Sequence, residues 1–460
     1  MTPARRPRAD GRGRVRPVAV DHGSTPELAP SLARRTRWAS YSLALITALA
    51  SAATLAAQPA ALACPDPVAI AGDELQPRAA VRYLADPALE GRLTGTPGEA
   101  CTAEYVAREF ERLGVVPAYN GSYFQEVFGT TALDPHGPAV SGRNVAGVLL
   151  GDDPVRRNDV VIIGAHHDHL GTGSYGSMAP AGSGGVHHGA DDNASGVAAL
   201  LRIAEALATG PRPAGSVMFV TFTGEELGLL GSSRFVNEPP LPLERVRAMV
   251  NLDMVGRLGA GPLIVYGTGT AAEWESILAD AVGPGGPELA TDPSGYGPSD
   301  HTSFYARDIP VLHFFTNVHE DYHRPSDTWD RVDYEGLETV ADIVERVVRL
   351  VADRHAPLTL QRGAGQPITG GTTFDAYLGS IPDFTPVAKG VLLSGVGGGS
   401  PAEVAGIRGG DIIIRFGDFE VADLQGLSDA LAAHRPGDTV TVVVLRNGEE
   451  ISFTVTLGRR

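Results

Sequence analysis

Asp159-Val-Val-Ile-Ile-Gly-Ala-His-His-Asp-His169 is the stretch that decides the fold. An apolar run of strand length passes without a break into three imidazoles and a carboxylate. In open α/β sheets, sites form outside the carboxyl ends of the strands. His166, His167, Asp168 and His169 therefore stand where a site opens, unless the cluster is an ordinary polar loop. The other strand ends decide between these readings.

Working outward, short apolar runs alternate with helical ones. Residues 144–151 (NVAGVLLG), 216–222 (SVMFVTF), 247–254 (RAMVNLDM), 261–267 (GPLIVYG) and 309–316 (IPVLHFFT) read as strands. Between them, residues 194–209 (ASGVAALLRIAEALAT) and 271–282 (AAEWESILADAV) read as helices, and a last long helix is expected over 334–353. Upstream, Ala103, Val106, Ala107, Phe110 and Leu113 recur at helical spacing, with Gly114 as the stop. This rhythm predicts an α/β fold: a mixed, mainly parallel central sheet flanked by helices.

A chain of 460 residues fits two folded units and a non-globular end. The divisions expected are a basic N-terminal region with an export signal over 1–63, a catalytic domain over 64–355, a linker over 356–370 rich in Pro, Gly, Thr and Gln, and a small β-rich domain over 371–460. The first 38 residues hold nine Arg against three acids, and residues 39–63 carry no charge and end in Ala-Leu-Ala before Cys64. That order is the order of a cleavable secretory peptide, the competing reading being a retained membrane anchor. Export, to the outside, the periplasm or the cell envelope, is the localisation expected.

The two cysteines, Cys64 and Cys101, suit one disulfide in an exported chain, with lipidation of Cys64 as the competing use. Membrane association is expected only if the N-terminal segment or a lipidated Cys64 is retained. The formal charge is −17, and removing the nine Arg and three acids of the front segment leaves −23. A surface of that sign repels nucleic acid, which is excluded as a partner.

Acidic residues follow three further runs. Asp191, Asp192 and Asn193 open the Ala-rich helix, where they would also serve as caps. Glu225 and Glu226 follow residues 216–222, and Asp253 ends the next strand. Burying so many carboxylates together without cations would raise their pKa values sharply, and metal ions are the simplest remedy. The loop after residues 309–316 adds His319 and His323.

The set HHD (166–168), GADDNASG (189–196), GEELGLLGS (224–232), NLDMVG (251–256), GYGPSDH (295–301) and YHRPSDT (322–328) resembles the dizinc exopeptidases of the secreted bacterial leucyl-aminopeptidase type. The resemblance covers roughly residues 73–355. It implies that His166 and Asp253 hold one zinc, Glu226 and His323 the other, and that Asp192 bridges both. Co²⁺ or Mn²⁺ would also suit this Cys-free donor set. It implies further that Glu225 is the general base, that Asp168 orients His166, that Tyr296 donates to the oxyanion, and that the Asp192–Asn193 peptide is cis. Asp191, His167, His169, His187, His188, His301, His313 and His319 are left as structural or rim residues. The substrates expected are peptide or protein N-termini. Two other readings stand beside this one: a single-zinc transferase like glutaminyl cyclase, and a non-catalytic peptide-binding protein.

At the C-terminal end, YLGSI (377–381) and GSPAEVAGIRGGDIIIRFGD (399–418) resemble a bacterial PDZ domain. Such a domain would take the carboxyl end of a peptide as an added strand.

Overall fold

The computed structural model describes residues 63–130, 139–173, 176–179, 184–362, 376–382, 387, 389–396, 399–422 and 424–459. The leader expected over residues 1–63 lies outside them but for its last residue, Ala63. Among the described residues no helix is long and apolar enough to cross a membrane.

Nine strands form the main sheet: β1 (Val116–Pro117), β2 (Phe124–Gly129), β3 (Val140–Leu149), β4 (Val160–His166), β5 (Ser216–Phe222), β6 (Val246–Leu252), β7 (Leu263–Tyr266), β8 (Leu289–Asp292) and β9 (Val311–Phe315). Their order is β1-β3-β5-β4-β6-β9-β7-β8, with β2 also on β3. The centre, β5-β4-β6-β9, is parallel, and β3 and β7 flank it antiparallel. Every residue of β4 and β5 is buried, as a parallel strand covered on both faces requires. The sheet is mixed, as expected from sequence, but not mainly parallel: four of its pairings are parallel and four, β1-β3, β2-β3, β3-β5 and β7-β9, are antiparallel.

Helices cover both faces. On one lie α3 (Pro97–Arg112), α4 (Gly196–Thr209), α6 (Trp274–Val282) and α8 (Tyr334–Ala352), packed through one apolar cluster. α8 turns Leu337, Val340, Val344, Val347, Val348 and Val351 inward at helical spacing. The other face carries α5 (Leu230–Asn237) and the short α7 (His301–Tyr305), with Phe222, Phe235 and Phe304 in mutual ring contact. Before α3, two short helices, α1 (Pro67–Ala71) and α2 (Arg78–Leu84), lead in, and a Cys64–Cys101 disulfide ties this leading segment to α3.

The boundary expected at 355 is corrected. Leu360 bridges to Ala271, Gln361 N–H donates to the Thr270 carbonyl at 2.8 Å, and the Tyr305 hydroxyl donates to the Gln361 carbonyl at 3.0 Å. Residues 358–362 therefore belong to the α/β unit, because backbone groups, which composition does not reveal, pair them to it.

The C-terminal unit is β-rich, as expected. Its six-stranded antiparallel sheet is built on β10 (Ser380–Pro382), β11 (Val391–Val396), β12 (Ile412–Phe416), β14 (Thr439–Arg446) and β15 (Glu449–Thr456), with β13 (Phe419–Glu420) on β12. Its buried apolar residues, Ala376 to Leu457, form a cluster of their own. In the same unit Arg446, half-buried, donates to both oxygens of buried Asp411 at 2.6 and 2.7 Å.

Candidate metal centre

The ends of four parallel strands converge on one open cleft. His166 is the last residue of β4, Glu225 and Glu226 follow β5, Asp253 follows β6, and His323 lies in the loop after β9. Asp192 arrives from a tight turn ahead of α4, where the Asp192–Asn193 peptide is cis. All six line the cleft.

His166 Nε2 stands 3.2 Å from Asp253 Oδ1 and 3.3 Å from Asp192 Oδ1. His323 Nε2 stands 3.1 Å from Asp192 Oδ2 and 3.3 Å from Glu226 Oε2. Asp192 thus turns one oxygen to each imidazole. A charge-assisted N–H···O bond is usually shorter, about 2.7–2.9 Å. Donor atoms at about 2.0–2.1 Å from a tetrahedral zinc stand roughly 3.3 Å apart, and the separations here fit that edge. The five residues expected to hold metal are together, in two groups that share Asp192, and the donor set fits zinc.

The ring orientations follow from the far nitrogens. His323 Nδ1 lies 2.8 Å from the Gly176 carbonyl, and His166 Nδ1 lies 3.2 Å from the Asp168 carbonyl. A carbonyl only accepts, so each Nδ1 carries a proton and each Nε2 is the ring atom turned to the cleft. Asp168 acts on His166 mainly through its backbone, its carboxylate being 3.8 Å away. That carboxylate accepts instead from Thr94 Oγ1 at 3.1 Å and from the Glu225 N–H at 3.2 Å, which fixes the start of the Glu225–Glu226 loop.

Asp327 Oδ2 accepts the N–H groups of Asp191 and Asp192 at 2.8 and 3.2 Å. Asn193 binds the Leu252 carbonyl and the Met254 N–H, tying the Asp192 turn to the end of β6. Ser299 Oγ donates to Asp253 Oδ2 at 2.7 Å. Beneath the site Arg92 is fully buried and donates to the carbonyls of His167, His188, Gly189 and Leu84, joining the segments that carry His166 and Asp192.

The electrostatics are those of a site that wants cations. Burial, with Asp253, Glu226 and Asp300 nearby, pushes the Glu225 carboxyl well above its ordinary value. Burial also raises Asp253, and lifts Asp300 to about 7. Burial alone would lower His166 and His323, but the facing carboxylates outweigh it and hold both imidazoles well above 6.5.

The structure does not bring Tyr296 to the cleft. Its backbone is pinned on both sides of the peptide by Ser294 Oγ, and its ring packs edge-on against Tyr305, centroids 4.9 Å apart, in the apolar cluster beside α7. Two tyrosines line the cleft, Tyr266 and Tyr322, and the one beside a histidine expected to hold metal is Tyr322, half-buried, its ring stacked on His323 with centroids 3.9 Å apart. Burial and the carboxylates of Asp192, Glu226, Glu225 and Asp253 hold it well above 10, hence neutral. The signal available in sequence was its place beside His323.

Of the residues left at the rim, His313 lines the cleft, stacked on His301, and His319 meets Asp191 at 3.1 Å. His167 meets Glu99 at 3.2 Å, His187 meets Ser177 at 2.8 Å, and His188 meets the Ala85 carbonyl at 3.0 Å. His169 lies against Glu226. Met254, Tyr266, Phe315 and Val318 form an apolar wall.

Residues 144–348 match the family model described as Peptidase family M28, and residues 378–457 match the PDZ domain. The chain is 28% identical over 386 residues to Leupeptin-inactivating enzyme 1 of Streptomyces exfoliatus, covering 78% of this chain and 80% of that protein. It is 28% identical over 234 residues to Aminopeptidase YwaD of Bacillus subtilis, covering 48% of each chain. Among solved structures, a Zn-dependent exopeptidase from Parabacteroides distasonis shares the fold at 22% identity and TM-score 0.50, covering 62% of this chain and 99% of that one. The chain thus carries a peptidase M28 domain over residues 144–348 and, C-terminal to it, a PDZ domain over residues 378–457.

Proposed function

We propose that the chain is a metallo-aminopeptidase that releases N-terminal residues from peptides at a pair of zinc ions, one between His166 and Asp253, the other between Glu226 and His323, with Asp192 shared. The observation that carries this reading is the set of four N···O separations of 3.1–3.3 Å, which share Asp192 and match a tetrahedral edge. Zinc bound there supplies Lewis acidity toward the scissile carbonyl.

The remaining work falls to the chain's own side chains. Glu225 takes the proton of the attacking water and delivers it to the leaving amine, a role suited to a carboxyl whose affinity for protons is raised. Tyr322, kept neutral, donates a hydrogen bond to the oxygen on which charge develops. The apolar wall of Met254, Tyr266, Phe315 and Val318 favours a substrate whose first side chain is apolar. The described residues lining the cleft include carboxylates but no Lys or Arg, which suits a free ammonium group rather than a peptide's terminal carboxylate.

The PDZ domain takes a peptide C-terminus by strand addition. The chain acts outside the cytoplasm: the Arg-rich and then uncharged N-terminal stretch supports export, and the Cys64–Cys101 disulfide suits an oxidising compartment.

The test is cleavage of Leu-Gly-Gly, its N-acetylated form and Glu-Gly-Gly. Release of leucine from the free peptide, with both others poor, is expected. Equal turnover of the acetylated peptide, or cyclisation in place of hydrolysis when Gln-Gly-Gly is assayed alongside, would overturn the reading.

A further inference from the structure

The two oxygens of Glu226 are used differently. Oε2 faces His323 Nε2 at 3.3 Å, whereas Oε1 lies 2.7 Å from Nδ1 of His169. His169 is fully buried, and its Nδ1 is also 3.9 Å from Asp192 Oδ2, so its atoms belong with Asp192 and Glu226 to a group able to hold a metal ion.

Two roles are open to such an imidazole, ligand or hydrogen-bond donor, and the distances separate them. Two donors on one tetrahedral zinc stand about 3.3 Å apart. At 2.7 Å the His169–Glu226 contact is too close for that edge and has the length of a charge-assisted N–H···O⁻ bond, about 2.7–2.9 Å. The proton must sit on Nδ1, since a carboxylate only accepts, and Nε2 is buried with no hydrogen-bond partner among the described residues. The ring is seated as well: its backbone N–H donates to the Arg92 carbonyl at 3.2 Å, and a Cβ on Gly189 would fall 2.5 Å from its Cδ2, so only glycine leaves it room.

We infer that His169 is a positioning residue for the metal centre. By holding Oε1 it leaves Glu226 a single oxygen, Oε2, to present beside His323, and it removes the rotation that would let the carboxylate swing off the site or chelate with both oxygens. Partners of this kind typically change metal affinity by ~10–100-fold. The inference rests on the reading that Glu226 holds zinc.

Three variants separate the possibilities. The amide nitrogen of His169→Asn falls near the position of Nδ1, that of His169→Gln near Nε2, and His169→Leu offers no donor. Zinc affinity is measured by competition with a chromophoric chelator, with thermal unfolding of the metal-free proteins as a check on folding. The expected result is ~10–100-fold weaker binding of one zinc ion in His169→Gln and His169→Leu, with His169→Asn within about threefold of the parent. Equal affinity in all four proteins would overturn the inference. An equal loss in Asn and Gln, with both folded, would overturn it in favour of imidazole ligation. If the parent protein binds no zinc at all, the reading beneath fails instead. Should Leu fail to fold, the contrast between the two amides decides.

Discussion

Nε2 of His323 lies 3.1 Å from Oδ2 of Asp192, while the other oxygen of that carboxylate faces His166 at 3.3 Å. One side chain therefore meets both imidazoles, although they arrive from strands β4 and β9 with β6 between them. Two nearby backbone anchors, Asp327 on the N–H of Asp192 and Asn193 on the end of β6, hold the turn that makes this sharing possible.

Glu225→Gln is expected to keep its zinc and lose hydrolysis. The amide matches the acid in shape but cannot shuttle protons, and a general base contributes ~10²–10⁴-fold. Metal content by elemental analysis, read beside kcat, is the check. A loss below about tenfold would remove Glu225 from the role.

The two tyrosines give a paired comparison. Tyr322→Phe should lower kcat by ~10²–10³-fold, the usual effect of removing one donor to a developing oxyanion, with little change in KM. Tyr296→Phe should leave kcat within about twofold, because its ring packs on Tyr305 away from the cleft. The reverse pattern would restore Tyr296 to the role and strip it from Tyr322.

Strand ends were legible because an apolar run fixes where a side chain emerges: His166, Glu226 and Asp253 follow directly from such runs. Turn residues were not. In GYGPSDH the direction of the Tyr296 ring depends on two contacts of Ser294 with the backbone, which no residue pattern announces. His169 looked like its neighbours in HHDH, and its task emerges only from the fold, where Gly189 and the Arg92 carbonyl seat the ring. Arg92 gave no signal either, since its partners are carbonyls from three separate segments.

Zinc binding should release protons. In the metal-free protein His166 and His323 are held well above 6.5, so both are largely protonated near pH 7, whereas zinc takes neutral imidazole. About two protons per chain should leave on loading, and zinc affinity should rise with pH through the neutral range. Titration calorimetry in two buffers of different ionisation enthalpy measures this. A binding heat independent of buffer would contradict it.

Among the described residues, none of those lining the cleft comes from the PDZ domain, so a chain ending at Gly363 should cleave short aminoacyl substrates at nearly the full rate. Ending at Pro357 instead removes the Leu360 bridge and the Gln361 hydrogen bonds. At ~1 kcal/mol per hydrogen bond this should lower the melting temperature by about 5 °C. Equal melting of the two truncated chains would show that residues 358–362 do not support the domain. A large loss on short substrates in both would give the PDZ domain a part in the active site.

The central claim is a pair of metal ions sharing Asp192, and metal stoichiometry tests it most directly. Elemental analysis of the active protein, alone and as Asp192→Asn, is expected to give two zinc ions per chain in the parent and one or fewer in the variant, with activity lost in parallel. Full activity at one zinc per chain, or two zinc ions retained without the Asp192 carboxylate, would contradict it.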